Sequence, residues 1–303
     1  MSGNSINSSL YQLAKKMGIP FTKNWQPIDN YTNINDIRIH FLKWGNPNNP
    51  SILLLHGFAQ SAHSFDFVSL CLADQFHVLV PDLRGHGDSE WAMDEDYSRE
   101  IMLKDLKSFI DVTGCKPVII IGLSLGGTIG YKFAADNPSI VNALVIVDVA
   151  PRVEHSGVKR VRNFVEIKDY FDSIDEMVAA VRTFRPDRTK EQVLGSITRN
   201  AKQHSDGRWS WKYDPVLRHQ TSRYRQTEKD VSEGWKTLES VTCPTLFVRG
   251  SESDIVTPQT AQELVRRMQN ASQVTIKNAG HLVTTDNPKG FIEGVNPFLQ
   301  NLL

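Results

Sequence analysis

The sequence predicts an α/β protein, in which a mostly parallel central sheet is flanked by helices. Continuous apolar runs recur at residues 51–55, 76–80 and 118–121, and such runs suit strands that are covered on both faces. Stretches of helical spacing separate these runs, and strands that alternate with helices build parallel sheets. The third run leads into G-L-S-L-G-G at Ser124, a pattern typical of a buried strand that turns sharply into a helix.

The first 45 residues give weaker patterns. We expect residues 1–24 to form an arm that packs on the main domain, with a short amphipathic helix at L-Y-Q-L-A-K-K-M. A partner-binding arm is the alternative. Residues 25–45 are strand-like, and I-R-I-H-F alternates as a half-buried strand does. We therefore expect the main domain to begin at residue 25.

The rest of the chain alternates strands with helices, except in one long segment. Strands are expected at the three apolar runs, at 143–149, at T-L-F-V-R-G and at Q-V-T-I, and helices at 62–73, 98–112, 125–137, 258–268 and the C-terminus. The alternation stops at Pro151 and resumes at Pro244. We therefore expect a core domain of residues 25–151 and 241–303, with a helical insertion, residues 152–240, after the sixth strand.

The composition excludes several classes of protein. Lys plus Arg and Asp plus Glu both total 34, so the formal net charge is zero and nothing global attracts nucleic acid or an anionic membrane. No apolar run is long enough for a bilayer, and the first thirty residues lack a cleavable apolar core; we expect a cytoplasmic protein. Cys71, Cys115 and Cys243 are too few and too scattered for a disulfide framework or a zinc site. We expect neither metal nor cofactor.

A serine hydroxyl is a weak nucleophile at neutral pH, so Ser124 would need a base and a carboxylate to orient that base. His281 is the best candidate for the base, because it follows the last strand at the sheet edge where parallel-sheet enzymes place their sites. His56 and His86 also follow predicted strands and are weaker candidates. The other six histidines have no motif context and are expected to be structural or exposed: His40, His63, His77, His155, His204 and His219.

Three carboxylates compete for the orienting role. Asp254 lies in G-S-E-S-D-I-V-T-P, after the strand at 245–248, and is ranked first. Glu252 is two residues away, and Asp148 ends the preceding strand. With Asp254 the order along the chain is Ser124, Asp254, His281, which is expected of an α/β-hydrolase and not of chymotrypsin-like or subtilisin-like proteases.

From about Trp25 to the C-terminus the chain resembles the α/β-hydrolase superfamily. His56-Gly57-Phe58 resembles the family's oxyanion loop and D-L-R-G-H-G-D-S its turn after the fourth strand. G-L-S-L-G-G resembles its nucleophile elbow, D-I-V-T-P its acid loop at Asp254, and G-H its base at His281. Five motifs in this order are specific for the fold. The resemblance implies that the insertion is a cap over the active site.

The resemblance also implies a role for each matched residue. Ser124 would attack a carbonyl carbon, His281 would take its proton, and Asp254 would orient the imidazole. The amides of Phe58 and Leu125 would bind the oxyanion, and the Phe58 side chain would line the substrate pocket.

The leading functional hypothesis is a serine hydrolase that cleaves a carboxylic ester or lactone of a small molecule through an acyl-enzyme. Because Ser124 stands where epoxide- and halide-cleaving members carry an aspartate, those activities are disfavoured. A carbon-carbon bond hydrolase of ring-fission products is the second hypothesis, although such enzymes often resemble G-N-S-M-G-G at the elbow. A hydrolase-fold sensor or binding module is the alternative from another class.

Overall fold

The computed structural model describes residues 3–166, 168–184, 186, 188–223 and 226–303, with the side chains of residues 3–9 and 220–223 left out. Ten strands, twelve α-helices and one short 3₁₀ helix (Ala62–Phe65) are described within these ranges. Up to the insertion they run, in chain order, α1 (Gly3–Lys16), β1 (Ile28–Ile34), β2 (Ile37–Trp44), β3 (Ser51–Leu55), α2 (Asp66–Leu72), β4 (His77–Pro81), α3 (Arg99–Thr113), β5 (Val118–Leu123), α4 (Leu125–Asp136) and β6 (Val141–Val147).

The elements that follow belong to the insertion and to the end of the core. They are α5 (His155–Val165), α6 (Ile174–Phe184), α7 (Lys190–Asn200), β7 (Ala201–Gln203), β8 (Trp209–Trp211), α8 (Pro215–Arg223), α9 (Glu228–Glu239), β9 (Thr245–Gly250), α10 (Pro258–Arg267), β10 (Ala271–Ile276), α11 (Val283–Asp286) and α12 (Pro288–Gln300). None of the helices in the described ranges is both long and apolar enough to cross a membrane.

Eight strands form one sheet in the order β1-β2-β4-β3-β5-β6-β9-β10. Within this sheet, β4, β3, β5, β6, β9 and β10 are parallel to one another. The strands β1 and β2 form a hairpin at one edge, and β2 pairs antiparallel with β4. Asn35 and Asp36 turn this hairpin with φ of 46° and 60°, as a type I′ turn requires of both central residues. The predicted mostly parallel sheet flanked by helices is confirmed.

The central strands are buried on both faces. All six residues of β5 are buried, and so are four of the five in β3. Their side chains alternate between two apolar clusters, one on each face of the sheet, so that Leu53 and Ile120 belong to one cluster and Ile52 and Ile121 to the other. This alternation explains why the strands appear in the sequence as continuous apolar runs.

The insertion between β6 and β9 is not wholly helical. It contains the five helices α5 to α9, but Ala201–Gln203 and Trp209–Trp211 pair as a short antiparallel ribbon. Trp209 and Trp211 therefore lie on a strand, and alternation places the intervening Ser210 among the buried residues. A small apolar cluster centred on Phe171, Met177 and Val193 holds the first part of the insertion together.

The N-terminal helix packs on the sheet and its flanking helices. Leu10, Ala14 and Ile19 are buried in the cluster that also contains the side chains of α2 and α12. The Tyr11 hydroxyl of α1 donates a 2.7 Å hydrogen bond to the carbonyl of Trp25. This contact closes the arm against the main domain.

Candidate active site

Ser124 lies between β5 and α4 in a strained backbone conformation, with φ of 53°. Positive φ is unfavourable for a residue other than glycine and persists where the surrounding structure enforces it. The Ser124 amide donates to Val147 O, and Ser124 O accepts from Thr128 N. The serine is therefore held at the point where the strand becomes the helix, with its side chain partly exposed.

Two glycines make this turn possible. A Cβ on Gly122 would lie 2.3 Å from Gly126 O, and a Cβ on Gly126 would lie 2.1 Å from Leu55 O. Real Cβ atoms do not approach backbone oxygens so closely. Only glycine at these positions allows the start of α4 to cross the ends of β5 and β3.

The loop after β3 lies beside Ser124. Leu55 pairs with Gly122 across the two parallel strands, and a Cβ on Gly57 would lie 3.5 Å from Ser124 Cβ. The sheet order reverses between β3 and β5, and ligands of open α/β sheets bind in the crevice at such a point. The geometry thus brings His56-Gly57-Phe58 and the serine turn together.

Two backbone amides are available at this crevice. Leu125 is the first residue of α4, so its N–H has no acceptor within the helix. Phe58 lies inside a turn that is closed by Gln60 N donating to Gly57 O, and the Gln60 side chain accepts from Gly57 N at 2.8 Å. The Phe58 amide takes no part in either bond. No sequence motif marks Gln60, whose side chain fixes this turn.

The Phe58 side chain extends from the loop after β3 toward the insertion. Its ring meets His86 edge-on at 5.9 Å and lies 6.3 Å from the ring of Tyr213. His86 is fully buried beneath it, and burial lowers the pKa of His86 to about 3. His56 is also buried and binds backbone through both ring nitrogens. These two buried imidazoles therefore pack against the loop after β3 and hold it in place.

His281 follows β10, and its buried imidazole binds the carboxylate of Asp148. Nδ1 of His281 lies 2.9 Å from Oδ2 of Asp148, the residue directly after β6. Because a carboxylate only accepts, Nδ1 donates in this contact, and in the neutral form of the imidazole Nε2 is then the acceptor. Val147 pairs with Leu123, so Asp148 and Ser124 end neighbouring strands.

Asp148 is fully buried and accepts two further hydrogen bonds. Ser253 Oγ donates at 2.6 Å and the Gly250 amide at 3.2 Å. A charged group without contact to water needs such donors. No sequence motif gives Ser253 this role, in which its hydroxyl holds the Asp148 carboxylate.

The carboxylate on the imidazole is therefore Asp148 and not the predicted Asp254. Asp254 binds the Arg160 guanidinium of α5 through two hydrogen bonds, at 2.6 and 2.7 Å. These bonds hold the pKa of Asp254 below its usual value, against the effect of burial. Glu252, the nearby competitor, is exposed.

The direction of the loop after β9 explains this difference. The Arg249 side chain binds the carbonyls of Ser251, Ser253 and Val256 and so fixes the loop. Within it, the Ser253 hydroxyl faces the sheet and Asp148, and the next residue, Asp254, faces the insertion. The sequence signal for Asp148 is its place at the end of the strand beside the serine strand.

Among the described residues, Glu239 of the insertion pairs with Arg267 of the core, and four further ion pairs join a cation of the insertion to a carboxylate of the core. These four pairs are Arg160 with Asp254, Arg188 with Asp286, Arg199 with Asp66, and Lys212 with Asp88. They approach the core from several sides of the candidate site. Ion pairs of differing exposure thus contribute to the contact between insertion and core.

One cluster in the described ranges has the composition of a metal site. The ligand atoms of His40, Asp82 and Asp88 lie within 4.8 Å of one another. Asp82 already accepts hydrogen bonds from His40 Nδ1 and from the amides of Ala62 and Asp88. These contacts assign the cluster to holding the turn after β4.

The chain is similar to known proteins of one family. The model of the alpha/beta hydrolase family matches residues 52–293. A 3-hydroxybutyrate-oligomer hydrolase of Cupriavidus necator is 30% identical over 263 residues, which cover 83% of this chain and 89% of that protein. The esterase Rv0045c of Mycobacterium tuberculosis is 29% identical over 272 residues, 86% of each chain.

Solved structures show the same fold. The Mycobacterium tuberculosis esterase aligns with a TM-score of 0.78 at 26% identity and covers 99% of both chains. An alpha/beta hydrolase from Novosphingobium aromaticivorans aligns with a TM-score of 0.79 at 30% identity, over 90% of this chain and 98% of that one.

The fold and the relatives define a hydrolase. The chain belongs to the alpha/beta hydrolase family. Relatives named as esterases support the predicted class of reaction, the hydrolysis of carboxylic esters.

Proposed function

We propose that this protein is a serine hydrolase that cleaves carboxylic esters of small molecules through an acyl-enzyme on Ser124. In this proposal His281 is the general base and Asp148 orients it. The observation that carries the proposal is the 2.9 Å contact between His281 and Asp148, at the sheet edge where Ser124 is held at positive φ.

The proposed reaction has two halves. Ser124 Oγ attacks the ester carbonyl carbon while its proton passes to His281 Nε2, and the imidazolium then protonates the leaving alcohol. Water repeats the attack on the acyl-enzyme, with His281 again taking a proton and returning it to Ser124. Asp148 stabilises the imidazolium and keeps the Nδ1–H tautomer in place.

The amides of Phe58 and Leu125 bind the oxyanion in this mechanism. Both lie at the crevice between β3 and β5, and neither is used by the turn or helix to which it belongs. Loss of one such donor costs about 2.7 to 4 kcal/mol of transition-state stabilisation in related chemistry.

We further propose that the insertion, residues 152–240, is a cap on a core of residues 25–151 and 241–303. The Phe58 ring reaches from the oxyanion loop to Tyr213 of the insertion, which supports a substrate pocket between the two. The name of the Cupriavidus necator relative makes 3-hydroxybutyrate oligomers a first ester to assay. Lactones are the second class to assay, and a cytoplasmic location remains a prediction.

Turnover of 4-nitrophenyl acetate or butyrate tests the proposal. We expect many turnovers by the unmodified protein, covalent labelling by a fluorophosphonate, and loss of both in Ser124→Ala. Ser272→Ala changes an exposed serine on β10 and is the matched control. A folded protein with neither turnover nor labelling would contradict the proposal and favour a sensor or binding module.

A further inference from the structure

A chain of contacts leads from the insertion to the loop that carries His281. Arg188, between α6 and α7, donates to Asp286 Oδ1 at 2.6 Å and to Thr285 Oγ1 at 3.0 Å. The other oxygen of Asp286 accepts from the Gly280 amide at 3.0 Å. Gly280 directly precedes His281, so a cation of the insertion lies two contacts from the backbone of the proposed base.

Arg188–Asp286 and Arg199–Asp66 are the two most enclosed of the described ion pairs between insertion and core. The Arg188 side chain is 15% exposed and that of Asp286 is 6% exposed. In comparison, the Arg160 and Asp254 side chains are 44% and 35% exposed. Enclosure reduces screening by solvent, so the pair resists displacement more than an exposed pair does.

Asp286 also closes the loop around His281. Residues 283–286 form the single turn α11, in which the amides of Thr285 and Asp286 donate to Leu282 O. The Asp286 carboxylate reaches back across this turn to Gly280, and the two contacts bracket His281 from both sides. Movement of Asp286 would therefore move the imidazole relative to Asp148.

We propose that Arg188 and Asp286 are positioning residues for His281, which couple the seating of the insertion to the placement of the base. This inference rests on the proposed function for the role of His281. When Arg188 holds Asp286, the Gly280 amide and the imidazole are fixed in place for proton transfer. When the insertion moves away, Asp286 loses the contact with Arg188 and keeps only the contact with the Gly280 amide.

The test compares two cations of the insertion that stand two residues apart. Arg188→Met removes the charge and keeps much of the length, and Arg188→Lys keeps the charge. Lys190→Met is the matched control, because Lys190 pairs with Asp175 inside the insertion. Two quantities are measured in each variant: kcat and KM on 4-nitrophenyl butyrate, and the downfield proton resonance of His281 Nδ1–H, assigned by its loss in His281→Gln.

We expect kcat of Arg188→Met to fall roughly 10- to 100-fold, the scale of a small misplacement of a catalytic group, with KM little changed. The Nδ1–H resonance should broaden or vanish in this variant. Arg188→Lys should recover part of both, and Lys190→Met should match the unmodified protein.

Two results would overturn the inference. One is an Arg188→Met variant with unchanged kcat and resonance. The other is a loss of kcat with an unchanged resonance, because the pair would then act on the substrate and not on His281. The resonance does not depend on turnover, so it decides the inference even if the protein hydrolyses no ester and the proposed function fails.

Discussion

His281 and Asp148 are joined across a strand that separates their own. His281 follows β10 and Asp148 follows β6, while β9 lies between these two strands in the sheet. The loop after β9 completes the contact, because Ser253 of that loop donates to the same carboxylate oxygen as His281. Three strand ends therefore build one buried hydrogen-bonded group.

Ser253→Ala tests the contribution of that third strand end. A hydrogen bond to a charged group is worth about 1.5 to 3 kcal/mol, so we expect kcat to fall about tenfold or more as the hold on Asp148 loosens. Steady-state hydrolysis of 4-nitrophenyl butyrate measures this. Ser251→Ala, two residues earlier and exposed, should leave kcat unchanged. Equal kcat values for the two variants would show that Ser253 does not position Asp148.

The sequence was sufficient for the serine turn and its strand because local patterns determine them. Gly122, Ser124 and Gly126 lie within five residues, and the apolar run before them has the form of a buried strand. Local patterns could not show which carboxylate orients His281. Asp254 matches the family's acid loop, but its contact with Arg160 depends on a helix about ninety residues away and on which side of the loop faces the sheet.

The ribbon of β7 and β8 was missed for a related reason. Each strand has three residues, which is too short for alternation to stand out from helical spacing. Their pairing depends on the turn between them, where Gly207 has φ of 89°. Contacts with the rest of the fold, and not local sequence, therefore determine that these segments are strands.

The Arg160–Asp254 pair is predicted to hold the insertion against the core. Exposed pairs of this kind are worth about 0 to 1 kcal/mol, and reversing one of the two charges turns this attraction into repulsion. We expect Arg160→Glu to be cut faster within the insertion by a protease, and the double variant Arg160→Glu/Asp254→Arg to recover. Equal cleavage rates for the single and double variants would contradict this.

His40 predicts a pH dependence of stability. Burial opposes its protonation, but hydrogen bonds and charge from Asp82 and Asp29 outweigh that effect and hold the pKa of His40 above its usual value. A raised pKa in the folded state gives stability that is fully present below the unfolded pKa of about 6.5 and is lost as pH rises through the folded pKa.

The corresponding variant is His40→Gln. Removing one partner of a buried ion pair costs about 3 to 5 kcal/mol, so we expect a loss near the lower end of that range at pH 6 and a smaller one at pH 9. Urea unfolding at both pH values measures the difference between the two proteins. A difference that does not change with pH would show that His40 is not charged in the folded state.

The N-terminal arm is predicted to contribute to stability through Leu10. Its side chain is 2% exposed in the cluster beside α2, and truncation of a buried leucine costs about 2 to 5 kcal/mol. We expect Leu10→Ala to lower the free energy of unfolding by that amount, while Lys16→Ala, exposed on the same helix, has little effect. An unchanged stability of Leu10→Ala would leave the arm free for the alternative role of binding a partner.

The most direct test of the central claim compares Asp148→Asn with Asp254→Asn in kcat for 4-nitrophenyl butyrate. An asparagine in the orienting position holds the wrong imidazole tautomer, so we expect Asp148→Asn to lose roughly four orders of magnitude and Asp254→Asn to stay within about tenfold of the unmodified protein. The reverse ranking would contradict the account and return the orienting role to Asp254.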